Sequence, residues 1–153
     1  MTLTTTLGEL LGQWRGENRL WLDPDNPPAL SETTALVESI AQDKFVTLRY
    51  TWADDGNPQD GLLLLGAESD DGSVQAVWVD SWHMDRVQMQ FWGAVGPDGV
   101  VSVAGSYAAP PGPDWGWRIV IEPRQGDSFR LLMYNVTPEE EEQLAVEAVY
   151  HPV

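Results

Sequence analysis

The sequence predicts an all-β chain: a single ten-stranded antiparallel up-and-down β-barrel, with a short N-terminal helix capping one end. Three observations carry that expectation. Nine clusters of turn-forming residues cut the chain at nearly even intervals, the segments between them alternate in polarity with period two, and ten sequential strands are more comfortable closed than open.

The turn clusters are Asp23-Pro24-Asp25-Asn26-Pro27-Pro28, Gln42-Asp43, Asp54-Asp55-Gly56-Asn57-Pro58, Ser69-Asp70-Asp71-Gly72 and Met84-Asp85. Gly96-Pro97-Asp98-Gly99, Pro110-Pro111-Gly112-Pro113-Asp114, Pro123-Arg124-Gln125-Gly126-Asp127 and Thr137-Pro138 follow. Glycine supplies positive φ, proline presets φ, and Asp or Asn caps its own backbone, so each cluster has a mechanism for turning. After the first interval their centres are spaced 13 to 15 residues apart, which leaves segments too short and too alternating for helices.

Within the segments, Phe45, Thr47, Arg49 and Thr51 oppose Val46, Leu48, Tyr50 and Trp52. Val87, Met89 and Phe91 oppose Gln88, Gln90 and Trp92; Phe129, Leu131 and Met133 oppose Arg130, Leu132 and Tyr134. Leu144, Val146, Ala148 and Tyr150 oppose Glu147 and its neighbours. This is the pattern of half-buried antiparallel strands. Several segments are apolar on both faces, so the inward parity stays open, and a slip of one residue exchanges the faces completely. A two-sheet sandwich is the structural alternative. Leu3, Leu7, Leu10 and Leu11 fall at helical spacing, which makes residues 1–12 a helical cap and 13–151 the barrel of one domain. Glu139 to Glu142 is expected as a solvated turn.

Composition excludes several function classes. There is no cysteine, which removes disulfides, zinc knuckles, iron–sulfur ligation and a thiol nucleophile. No apolar run approaches the roughly 20 residues that span a bilayer, and the N-terminus lacks the pattern of a signal peptide, so a cytoplasmic protein is expected. Asp and Glu number 24 against 8 Lys and Arg, a net charge of −16 spread over both halves. With no basic patch to release counterions, neither nucleic acid nor membrane is expected as a partner. No dinucleotide or P-loop glycine pattern is present, and no cofactor or metal is expected.

Gly12-Gln13-Trp14, entering the first strand after a short apolar helical turn, resembles the G-x-W signature of the lipocalin and calycin barrels. Trp78-Val79-Asp80-Ser81-Trp82, Gly93, Gly105, Trp115-Gly116-Trp117-Arg118 and the strand around Tyr134 are similar to an uncharacterised bacterial family of unknown function with a lipocalin-like barrel. The resemblance covers about Gly8 to His151. It implies the fold and an internal cavity, and brings no activity with it. Lipocalins pack an arginine from the barrel end over the Trp; the last strand here, Gln143 to His151, has none, and Arg130 is the nearest substitute.

Eight tryptophans are the unusual feature. An indole buries large area yet keeps one N–H donor in need of a partner, which suits the wall of a cavity for an apolar ligand. The expected function is therefore non-enzymatic binding of a small, largely apolar ligand in the barrel interior. Trp78, Trp82, Phe91, Trp115, Trp117 and Met133 would bury it, Met84 and Met89 would add an adaptable wall, and Arg49, Asp80, Arg118 or Tyr134 would orient it. A buried arginine would favour a carboxylate such as a fatty acid. The alternative is a filled barrel that docks a second copy or another protein through an exposed aromatic rim.

Catalytic readings are weaker. Asp80, His83 and Asp85 lie close in sequence, but His83 is out of phase with Asp80 on a strand, and the plain reading is a turn whose His and Asp face water. His83 with Ser81 or Ser106 imitates a Ser–His pair without a G-x-S-x-G elbow. Asp80 with Glu122 is a conceivable carboxylate pair. Haem held by a late histidine, as in the related nitrobindin barrels, would fall to His151.

Overall fold

The computed structural model describes residues 3–67, 70–123 and 126–153. A short helix α1 (Leu3–Gly8) leads into β1 (Gly12–Leu20), β2 (Ala29–Ile40), β3 (Phe45–Asp54), β4 (Asn57–Ala67) and β5 (Ser73–Asp80). They are followed by β6 (Met89–Val95), β7 (Val101–Tyr107), β8 (Trp115–Pro123), β9 (Phe129–Val136) and β10 (Glu142–Pro152). Each strand pairs antiparallel with its sequence neighbour, and β1 pairs with β10, which closes the barrel. The ten-stranded barrel is as the turn spacing implies, and an N-terminal helix is present, as the leucine spacing implies. Two turn clusters, Ser69–Gly72 and Pro123–Asp127, reach into residues 68–69 and 124–125, which lie outside the described residues. The helix is shorter than the leucine spacing suggests: Leu10 follows it in a turn and Leu11 is exposed.

Register settles the parity. Val46, Leu48, Tyr50 and Trp52 of β3 are buried, as are Val74, Ala76, Trp78 and Asp80 of β5, Met89 and Phe91 of β6, and Phe129, Leu131 and Met133 of β9. Trp92 points outward and is 56% exposed. In β10 a bulge between Leu144 and Val146 shifts the phase, so Val146, Ala148 and Tyr150 face inward while Leu144 keeps to the outer side with its partner Tyr134.

One end of the barrel is plugged. Leu3, Leu7 and Leu10 pack into it with Val37, Val46, Val101, Ile121 and Phe129 in one continuous core. Trp14 stands edge-on to Phe129 at 4.8 Å, and its Nε1–H donates to the Leu10 carbonyl at 2.7 Å. That bond and the helix close this end around Trp14. Arg130 is on the outer face instead, bonded to Glu122 and Glu147 at 2.8–3.0 Å. Burying each leucine of the plug contributes about 1.5–3 kcal/mol.

The other end, the mouth, is bounded by the connections 21–28, 55–56, 81–88, 108–114 and 137–141. Here the wall is least complete. The β6–β7 ladder has four residue pairs, from Trp92–Ala104 to Val95–Val101, where every other ladder has six or more. The mouth-side ends of β6 and β7 are close but unladdered: a side chain at Gly105 would strike the Gln90 carbonyl and reach Met89.

Candidate functional site: the aromatic mouth

Asp80, the last residue of β5, organises the mouth. It is 3% exposed, and its carboxylate accepts four hydrogen bonds. Oδ2 accepts from the Tyr50 hydroxyl at 2.5 Å and from Trp52 Nε1 at 3.3 Å. Oδ1 accepts from the backbone N–H of Trp82 at 2.8 Å and of His83 at 3.0 Å, the local turn that Asp favours. Tyr50 is itself an acceptor, for Trp78 Nε1 at 2.8 Å. Its ring has room because the residue opposite is Gly61, where a Cβ would collide with the phenol. Burial, reinforced by the Asp80 charge, holds the Tyr50 phenol well above its ordinary range.

The two amides held by Asp80 bend the chain back into the barrel, and the His83 ring enters it. Its centroid lies 4.8 Å from Trp82, 5.4 Å from Trp78, 5.6 Å from Trp52 and 5.6 Å from Trp117. Burial pushes the imidazole below its ordinary value and the nearby Asp80 charge opposes that in part. This corrects the expectation that His83 faces water. Trp82 is likewise outside the interior wall it was expected to form with Trp78. It lies in the turn, 36% exposed, edge-on to Trp52, with Nε1 donating to Asp54 at 3.1 Å.

The interior below His83 is filled. Between Tyr50, Asp80, His83, Leu131, Met133 and Tyr150 there remains about 10 Å³, at the lower limit for one water. At this level the barrel interior is occupied by the protein's own rings. The open space lies at the mouth, where a cleft of about 820 Å³ runs along the unladdered ends of β6 and β7. Its walls are Trp78, Trp92, Trp117, Tyr107, Met84, Met89 and Val87, with His83, Gln88, Gln90 and Ser106 as polar points. Trp117 stacks on Trp78 at 5.5 Å and 9°, while Tyr107 donates to Asn135 Oδ1 at 2.6 Å. Trp117 Nε1 is buried and has no hydrogen-bond partner; among the described residues only Thr6 Oγ1 in α1 shares that condition.

The sequence-nominated residues therefore separate. Trp78 and Trp117 form the cleft wall; Asp80, Phe91 and Met133 are buried behind it. Trp115 is half-buried at the mouth edge, paired with Tyr107. Arg49, Arg118 and Tyr134 have the wrong parity and face outward, so none of them orients a ligand in the barrel. Arg49 is exposed in an outer groove of about 840 Å³ over β2 to β5. Arg118 is bonded twice to Glu142 and lies 4.4 Å over the Tyr134 ring; this pairing holds Glu142 below the usual carboxylate range.

The catalytic alternatives lose their geometry too. Ser81 donates to Gln59 at 2.7 Å, Glu122 is paired with Arg130 on the outer wall, and His151 is exposed beside Arg15 rather than inside the barrel. Among the described residues no group of three metal-ligating side chains converges, and no helix is long and apolar enough to cross a membrane. Tyr50, Trp52, Tyr107 and Asn135 were not singled out from sequence. The usable signal was the alternation of β3, which places Tyr50 and Trp52 on one face.

Comparisons with known proteins agree with this architecture. The profile of a family described as "Protein of unknown function (DUF1579)" matches residues 4–151. No curated protein matches the chain. Among solved structures, the crystal structure of Rv2717c from M. tuberculosis is similar at a TM-score of 0.66 and 18% identity, covering 100% of this chain and 99% of that one. A likeness at that identity concerns the fold alone.

Proposed function

The chain belongs to the DUF1579 family, which supplies no activity, and from the geometry we propose that it binds a small, largely apolar ligand in the mouth cleft between β6, β7 and the 81–88 connection. The observation that carries this is the cleft itself, about 820 Å³ of open space with aromatic and thioether walls at the barrel mouth. Apolar area on Trp92, Trp117, Met84 and Val87 would supply most of the affinity, as in other concave sites with few polar groups. The site differs from the interior cavity expected of a ten-stranded barrel: the ligand lies against the His83 plug rather than beneath it.

Nile red, a neutral planar dye with a carbonyl acceptor, tests the reading by fluorescence titration. Trp117→Phe trims this wall of the cleft, and a loss of affinity of about three-fold is expected. Ala108→Phe, at an exposed lining position, should fill the cleft and abolish binding while the protein stays folded. A dye that binds both variants as it binds the parent would sink the proposal.

A second reading draws on the exposure of Val87 (62%) and Trp92 (56%) in the cleft wall: this edge docks a second copy of the chain. Sedimentation of the parent and of Trp92→Glu separates the two, since only docking predicts a dimer that the charge dissolves.

A further inference from the structure

We infer that the mouth cleft selects an organic cation, a positive charge carried on an apolar body, over a neutral or anionic molecule of the same shape. This rests on the reading that the cleft holds a small apolar ligand, and adds the sign of its charge.

Four observations converge. First, among the described residues no Lys or Arg lines the cleft, so none of them there receives a carboxylate. The two arginines that the sequence offered for that role are outside, and Arg118 is already committed to Glu142. Second, the lining offers aromatic rings: Trp92 is 56% exposed, Trp117 and Tyr107 are half-buried, and Trp78 lies stacked against Trp117. A cation over such faces gains electrostatic energy from the ring quadrupole that a neutral molecule does not, and an anion loses it. Third, His83, the titratable ring touching the cleft wall, is held toward its neutral form by burial and adds no opposing charge near neutral pH. Fourth, the five mouth connections carry Asp23, Asp25, Asp55, Asp85, Asp114, Glu139, Glu140 and Glu141 against Arg86 alone. A low-dielectric opening ringed by one sign of charge concentrates the opposite sign from solution. The acids alone would attract any cation; the aromatic walls are what make an apolar one the fit.

Tetraphenylphosphonium and tetraphenylborate have the same shape and opposite charge, and each is titrated calorimetrically into the whole protein at low and high salt, alongside Nile red. The phosphonium is expected to bind about ten-fold or more tightly than the borate, to displace Nile red, and to keep part of its advantage at high salt, where long-range attraction is screened. Trp92→Leu, which keeps apolar area and removes one π face of the wall, should weaken the phosphonium about three-fold more than it weakens Nile red. Equal affinities, tighter borate, or a phosphonium that leaves Nile red in place would overturn the charge inference while the cleft reading stands. Failure of Nile red together with both ions would remove the cleft reading, and this inference with it.

Discussion

The two ends of the barrel are each built around a tryptophan, and they use it in opposite ways. At the plugged end Trp14 spends its N–H on the Leu10 carbonyl and its ring on Phe129, and a helix covers the result. At the mouth Trp117 stacks on Trp78 at the wall of the cleft, with its N–H unused. The same residue type thus has its donor bonded under a helix at one end and unbonded at the other.

The comparison can be broken at several points. The largest effect is expected at the mouth's own scaffold. Asp80→Ala strands the Tyr50 hydroxyl, the Trp52 N–H and two backbone amides, and should cost about 3–5 kcal/mol by chemical denaturation. It should also release His83 from among the tryptophans, seen in near-UV circular dichroism; a loss below about 1 kcal/mol would show that the carboxylate does not organise the mouth.

Next, Leu7→Ala at the plugged end should cost about 2–4 kcal/mol by the same measurement yet leave Nile red affinity unchanged, because the plug has no part in the cleft. Loss of dye binding in a folded Leu7→Ala protein would show that the two ends are coupled. The paired indole substitutions are subtler. Trp14→Phe breaks a made hydrogen bond and Trp117→Phe breaks none, so the first should be the more destabilising by about 1 kcal/mol, while only the second weakens the dye.

The smallest effect is on pH dependence. Because burial lowers the His83 affinity for a proton, the unfolded chain protonates first, and stability falls as pH drops below about 6.5, the ordinary histidine value. Asp80 opposes this, and Tyr50 and Tyr150, which line the same space, stay protonated throughout because burial raises both phenols. His83→Gln should flatten the unfolding free energy between pH 7.5 and 5 relative to the parent.

The fold was legible because turns and alternation are local. Asp54-Asp55-Gly56 turns wherever it sits, and Val46, Leu48, Tyr50 and Trp52 share a face in any strand. The site was legible in composition and illegible in direction. Arg118 and Trp117 are adjacent, both are candidate contacts, and which one faces in depends on register set by distant partners such as Asn135 and Val136. Arg49 was lost in the same way. The filled interior was harder still. That a histidine from a connection would enter the barrel depends on Asp80 capturing two amides while Tyr50 and Trp52 hold its other oxygen, which requires knowing that β3 and β5 flank β4.

The four-pair seam between β6 and β7 bears on how the molecule comes apart. A closed ring of strands has no free edge from which to unravel, so its unfolding must begin by creating one, and the ladder with the fewest rungs is the least costly place. Amides at the mouth-side ends of these two strands should exchange with deuterium ahead of the rest of the wall. Under pulling or heating the cylinder would unroll from that line, carrying the aromatic cleft away before the helix plug lets go.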